Sequence, residues 1–193
     1  MQTSDFDILI VPGWLGSDAD HWQSRWAREL ETAKLIGEAN WAAPDKTEWV
    51  GNIVEQVRAT SRPAVIVAHS VGVVAVVHAA LRLPRDGISG AFLVSLADVE
   101  NADRWPVTQG HIWPKEGYGF KPIPRQTLPF PAVLISSSND PYCRQSRARD
   151  FATAWGCDFE NVGPAGHITT ASGFGPWPAG LVLLSDFLAK LQA

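Results

Sequence analysis

Cysteine is scarce in this chain, with Cys143 and Cys157 its two examples among 193 residues. That count allows at most one disulfide, between these two, and the favoured reading is a pair of reduced thiols in a cytoplasmic protein. No Cys/His cluster has the spacing of a structural zinc site. Long apolar runs are also missing. The longest, Asp7–Val11 and Val71–Leu83, fall short of the roughly 20 residues a membrane span needs. The sixteen Lys and Arg residues are scattered, so no basic run offers a footprint for nucleic acid. The N-terminus carries Asp5 and Asp7 rather than the basic region and small-residue cleavage site of a secretory signal. Neither a Gly-Lys-Ser/Thr loop nor a G-x-G-x-x-G turn occurs, which argues against a phosphate loop or a dinucleotide site. No metal and no organic cofactor is expected.

What is present is an ordinary globular balance. The chain is 46% hydrophobic and 19% charged, with a formal net charge of −4. A chain of this length fits one domain over residues 1–193. Tryptophan is abundant, with nine residues. Most are expected in the core, and some along a pocket, because an indole offers a large apolar face and one donor.

Apolar β-branched runs alternate with helical patterns. Strands are predicted at Asp7–Pro12, Leu35–Trp41, Ala64–Ala68, Gly90–Leu96, Ala132–Ser136 and Asp158–Val162. Helices are predicted at Ala19–Thr32, Lys46–Ala59, Val71–Leu83, Arg144–Trp155 and Ala179–Leu191. Strands separated by helices imply an α/β fold with a mostly parallel sheet and helices on both faces. The fully apolar strands agree, since a parallel sheet is covered on both sides. Val71–Leu83 is apolar on nearly every face and should be buried on most of them. One connection, Asp98–Pro131, is long and carries six prolines with Trp105, His111, Trp113, Tyr118 and Phe120. Two readings of it stand level: a lip over a pocket, or a surface excursion packed down by its own aromatics.

The sharpest chemical signal is Ala64–Gly72, AVIVAHSVG. A buried strand runs into Ala68-His69-Ser70-Val71-Gly72 and a helix follows at once, the context of a nucleophile elbow. The pentad alone recurs by chance; its place between strand and helix gives it weight. Small residues on either side of the serine let strand and helix pack closely around a strained turn. The hydroxyl then stands at the C-terminal edge of the sheet, with a helix N-terminus beside it.

A serine hydroxyl needs a base. His69 lies inside the elbow and should point away from Ser70. His78 falls in the apolar helix and reads as a packing residue. His21 opens the first helix and could lie near the site, though a capping or packing role suffices. His111 lies in the long connection. His167, in Gly163-Pro164-Ala165-Gly166-His167 after the last strand, is the preferred base. The acid that orients it is assigned to Asp140, in Ser137-Ser138-Asn139-Asp140-Pro141, with Asp98 as runner-up. The chain order Ser70, Asp140, His167 is that of the α/β-hydrolase fold. The oxyanion hole should use the backbone N–H of Val71 and one from Pro12-Gly13-Trp14-Leu15-Gly16-Ser17, Trp14 first and Leu15 second. Leu15, His111 and Trp113 are the further candidates for the substrate pocket.

Val11-Pro12-Gly13-Trp14 through His21-Trp22, the Ala68–Gly72 elbow, Ser138-Asn139-Asp140-Pro141 and Gly166-His167 resemble the small serine hydrolases related to retinoblastoma-binding protein nine and the bacterial YdeN proteins. The resemblance spans nearly the whole chain. It implies a compact α/β-hydrolase without a large cap domain, a six-stranded sheet in the order 2-1-3-4-5-6, and Ser70, Asp140 and His167 as the triad. Ala68 departs from the glycine usual at the first elbow position. The L-x-C-x-E segment of pocket-protein binding is absent, since Cys157 is followed by Asp158 and Phe159, so that partner is not carried over.

The expected activity is hydrolysis of a small ester, or of an amide or thioester, through an acyl-enzyme on Ser70. The expected partner is a small acyl substrate, with neither nucleic acid nor membrane. The small size suggests a shallow site for short acyl groups. Two competing readings are a binding protein on a hydrolase scaffold, and an acyltransferase using the same intermediate.

Overall fold

The structure is a computed structural model that describes residues 5–83 and 87–192. Six strands form one parallel sheet in the order β2-β1-β3-β4-β5-β6. They are β1 (Asp7–Val11), β2 (Ala33–Leu35), β3 (Ala64–His69), β4 (Ile88–Val94), β5 (Ala132–Ser136) and β6 (Asp158–Asn161). Five helices connect or follow them: α1 (Trp22–Glu29), α2 (Lys46–Arg58), α3 (Val71–Ala79), α4 (Gln145–Trp155) and α5 (Pro178–Leu191). This is the predicted α/β-hydrolase sheet. None of these helices is long and apolar enough to cross a membrane.

Successive side chains of a strand point to opposite faces, and that alternation sorts the core into two. Leu9, Val11, Ile66, Ala68, Leu93 and Leu134 face α2, α3 and α4. Ile8, Ile10, Val65, Val67, Phe92 and Ile135 face α1 and α5. Every residue of β3 is buried, as is every residue of α3 except His78. This central strand–helix pair therefore carries the elbow on a rigid, fully enclosed support.

Element boundaries shift in instructive places. The second strand is Ala33–Leu35 rather than Leu35–Trp41. Its backbone pairing with β1 ends where the Ile36 N–H meets the Ile10 carbonyl at 2.8 Å. Gly37 follows, and the chain turns outward until the Trp41 carbonyl accepts from Leu15 N–H at 2.9 Å. The first helix starts at Trp22, because His21 caps it. The helix after the elbow ends at Ala79 and continues as one 3₁₀ turn, Ala80–Arg82.

The long connection divides into two halves, each matching one of its two readings. Trp105–Gln109 stands along the rim of a cavity. Trp113 and Phe120 are buried, and Phe120 meets Trp49 of α2 at 5.9 Å between ring centroids.

Candidate active site

Ser70 occupies the turn between β3 and α3, with φ 60° and ψ −126°. A non-glycine residue there is strained, and such strain persists only where the surroundings enforce it. Two glycines do so by letting backbone approach closely. A Cβ on Gly72 would stand 2.4 Å from the Pro12 carbonyl oxygen, and one on Gly13 would stand 2.6 Å from Ser70 Cβ. Both distances are below any real contact, so glycine is required at each. Alanine suffices at position 68, where the methyl is fully buried in the core.

The structure brings Ser70, His167 and Asp140 into one hydrogen-bonded line. His167 Nε2 lies 2.8 Å from Ser70 Oγ, and His167 Nδ1 lies 2.9 Å from both Asp140 oxygens. A proton on Nδ1 is shared with the carboxylate, which leaves Nε2 as acceptor for the serine hydroxyl. Ser70 and His167 are buried, so this relay is shielded from bulk water.

The imidazole is held from several sides. His69 turns away from Ser70, as anticipated, and its Nε2–H donates to the His167 carbonyl at 2.8 Å. The next carbonyl, of Ile168, accepts from the Trp22 indole at 2.9 Å. The Tyr142 ring lies against the imidazole with centroids 4.2 Å apart, and the Tyr142 N–H donates to Asp140 Oδ1 at 2.8 Å. Ser137 and Asn139 tie the Asp140 turn to the histidine loop: Ser137 Oγ accepts from Ala165 N–H at 2.9 Å and Asn139 Oδ1 from Gly166 N–H at 2.7 Å. Sequence reasoning passed over Trp22, Ser137, Asn139 and Tyr142 as site residues. The polar run Ser136–Asp140 after an apolar strand was the available signal for two of them.

Asp98, the alternative acid, is engaged elsewhere. It is buried against Arg147, with Nε at 2.9 Å and Nη2 at 3.2 Å, and accepts from Asn101 at 2.7 Å. Leu15 is likewise committed through its N–H to Trp41. Leu15 does line the cavity, but as a side chain. His78 Nε2–H donates to the Phe120 carbonyl at 3.0 Å, far along α3 from the elbow.

A cavity of about 440 Å³ opens onto Ser70 and His167, within the usual range for a small-molecule site. Two expected pocket residues, Trp113 and His111, lie outside its lining. Trp113 is buried behind Trp14, at 5.3 Å between ring centroids, and is wedged against Trp105 and Tyr118. His111 is exposed and meets the edge of Trp14 at 6.3 Å. Both miss the cavity because the chain reverses at Thr108–His111 and carries the later residues past the rim. Its apolar lining includes Trp14, Trp105, Pro106 and Val107; its polar lining includes Asp18, His21, Thr169 and Thr170. Among the described residues, no group of three or more His, Cys, Asp or Glu side chains is arranged to hold a metal ion.

The serine hydrolase family model matches residues 8–186. The chain belongs to the serine hydrolase family. A solved YdeN-like hydrolase from Pectobacterium atrosepticum is 31% identical, with a TM-score of 0.80 over 98% of this chain and 94% of the other. The ydeN gene product of Bacillus subtilis shares 18% identity at a TM-score of 0.75, over 95% of this serine hydrolase and 99% of its own length. The carboxylesterase CesB of Bacillus subtilis shares the fold at 16% identity and a TM-score of 0.63, over 96% and 84% of the two chains. No curated protein sequence matches the chain.

Proposed function

We propose that this serine hydrolase cleaves a small carboxylic ester through a covalent acyl-enzyme on Ser70, with His167 as base and Asp140 as the orienting acid. The observation that carries the reading is the hydrogen-bonded line from Ser70 Oγ through both His167 nitrogens to Asp140, lying beneath an open cavity. His167 Nε2 takes the hydroxyl proton as Ser70 Oγ attacks the carbonyl carbon. The tetrahedral oxyanion collapses, and His167 returns the proton to the leaving alcohol. Water, deprotonated by the same imidazole, then releases the acid and restores Ser70.

Two backbone donors suit the oxyanion. Val71 is the first residue of α3, so its N–H has no acceptor within the helix. On the facing loop the Leu15 N–H is spent on the Trp41 carbonyl, which favours the N–H of Trp14. Loss of one such donor costs about 2.7–4 kcal/mol of transition-state stabilisation. The size of the cavity favours short acyl chains.

The test is active-site labelling with a fluorophosphonate, followed by hydrolysis of p-nitrophenyl esters of increasing chain length. Labelling should map to Ser70, vanish in Ser70→Ala, fall sharply in His167→Ala, and accompany a preference for short chains. Failure of the folded protein to label would overturn the mechanism. Faster cleavage of long chains than of short ones would overturn the acyl-length reading alone.

A further inference from the structure

The polar wall of the cavity contains an imidazole that the mechanism above does not use. His21 is 4% exposed and lines the cavity. Its ring meets His69 at 5.1 Å between centroids, and His69 meets His167 at 4.8 Å. The protonation state of His21 follows from its contacts. Nδ1 accepts from the Gln23 N–H at 3.2 Å, so that nitrogen carries no proton and the neutral ring carries its hydrogen on Nε2. Burial holds the ring neutral against the charge of Asp18, with His167 adding to the effect, and its pKa falls to about 4. Among the described residues, Nε2 has no partner. The ring is buried but lines the cavity, so an acceptor entering the cavity can take this N–H.

Asp18 lines the same wall. Its Oδ1 accepts from the His21 N–H at 2.9 Å and from Thr170 Oγ1 at 3.2 Å. The wall therefore offers a neutral donor beside a carboxylate. A carboxylate or phosphate ligand would meet repulsion from Asp18. Hydroxyl groups suit both residues, since a hydroxyl can accept from His21 Nε2–H and can donate to Asp18. Another stretch of the lining, Trp105 to Val107, is apolar and is pinned by the Trp105 indole to the Tyr142 carbonyl at 2.9 Å.

We infer that His21 is a substrate-reading donor, and that the substrate is a neutral ester with a hydroxylated portion on the His21–Asp18 side and an apolar portion against Trp105–Val107. The inference rests on the proposed ester hydrolysis at Ser70 and narrows its substrate class.

Two variants separate this role from the capping role of the same ring. His21→Asn keeps an acceptor for the Gln23 N–H but withdraws the donor from the cavity. His21→Gln places an amide N–H where Nε2 stood and weakens the cap. The probes are two matched pairs: glycerol monobutyrate against propyl butyrate, and ethyl 3-hydroxybutyrate against ethyl butyrate. The wild-type protein should prefer the hydroxylated member of at least one pair in kcat/KM. His21→Asn should reduce that preference by about tenfold, the scale of one hydrogen bond read in the transition state. His21→Gln should retain most of it, although it is the less stable of the two. An unchanged preference in His21→Asn, or no preference in the wild type, overturns the inference even if Ser70 labels and turns over ester. Absence of both labelling and turnover removes the Ser70 reading and this inference with it.

Discussion

Replacement of Asp140 by asparagine tests the relay most directly, because the structure dictates how the new amide must sit. Asp140 Oδ1 accepts from the Tyr142 N–H at 2.8 Å, and both carboxylate oxygens lie 2.9 Å from His167 Nδ1. In Asp140→Asn the Tyr142 N–H requires the carbonyl oxygen at the Oδ1 position, which puts the NH₂ group at Oδ2, facing Nδ1. An NH₂ group cannot accept, so Nδ1 must. The imidazole proton then moves to Nε2, and the 2.8 Å contact with Ser70 Oγ reverses its direction. The histidine becomes a donor to the nucleophile instead of a base. Tautomer reversal of this kind costs about 10⁴ in kcat in a serine protease, equivalent to about 5.4 kcal/mol of barrier at 1.36 kcal/mol per decade. We expect a loss of about 10³–10⁴ in kcat on p-nitrophenyl acetate, with the far-UV spectrum unchanged, since only one atom pair is exchanged. A folded Asp140→Asn protein within tenfold of wild-type kcat would refute the argument that Asp140 sets the tautomer.

Ser70→Gly is expected to abolish turnover while raising Tm by about 2–4 °C. Relief of a backbone held at φ 60°, ψ −126° is worth about 1–3 kcal/mol, of which the greater chain entropy of glycine cancels about 0.5–1, and about 1 kcal/mol shifts Tm by that amount in a domain of this size. Ser70→Ala, which keeps the strain, should not share the gain, and a lower Tm in Ser70→Gly would refute the strain. The contribution of His21 and His69 to stability should fall as pH is lowered from about 6.5 towards 4. His21 is held down to about 4 by burial, against Asp18 and with His167, and His69 is driven well down by burial together with the charges of His167 and His21, against its bond to the His167 carbonyl. The unfolded chain takes up protons on these rings near 6.5, so it binds more protons than the folded one across this window, and acid favours unfolding. For His21 alone the loss is about 3 kcal/mol once both limits are passed. Glu38, pushed up to about 7 by burial, works in the opposite sense over the same window, so urea unfolding at pH 7 and pH 4.5 is compared between the wild type and His21→Asn; an equal pH dependence in the two would refute neutral burial of His21.

The chain's own order of residues determined more of this protein than its element boundaries suggest. The alternation of apolar strands and helices is enough to specify a parallel sheet, because each βαβ crossover leaves few arrangements open. The elbow was legible because its signal is local: the small residues at 68 and 72 and the strand and helix that flank Ser70 all lie within a dozen positions. His167 and Asp140 were legible through their place in the order of elements. The short strand β2 was misplaced because it sits at the sheet edge, half-buried, where apolar patterning is weak.

Tertiary structure alone decided the rest, since those choices depend on contacts between residues distant in sequence. Asp98 stood as runner-up to Asp140 for the acid until Arg147, 49 positions later, claimed its carboxylate. Leu15 competed with Trp14 until the Trp41 carbonyl took its N–H. Trp113 and His111 had the composition of pocket residues, and a chain reversal put them behind and beside Trp14 instead. His21 had a local role, as a cap, that sequence could anticipate. Only the fold set its ring on the lining of the cavity, with no partner for its second nitrogen among the described residues. Local patterns specify which elements form; which polar atoms remain unspent depends on every neighbour that folding brings within 3 Å.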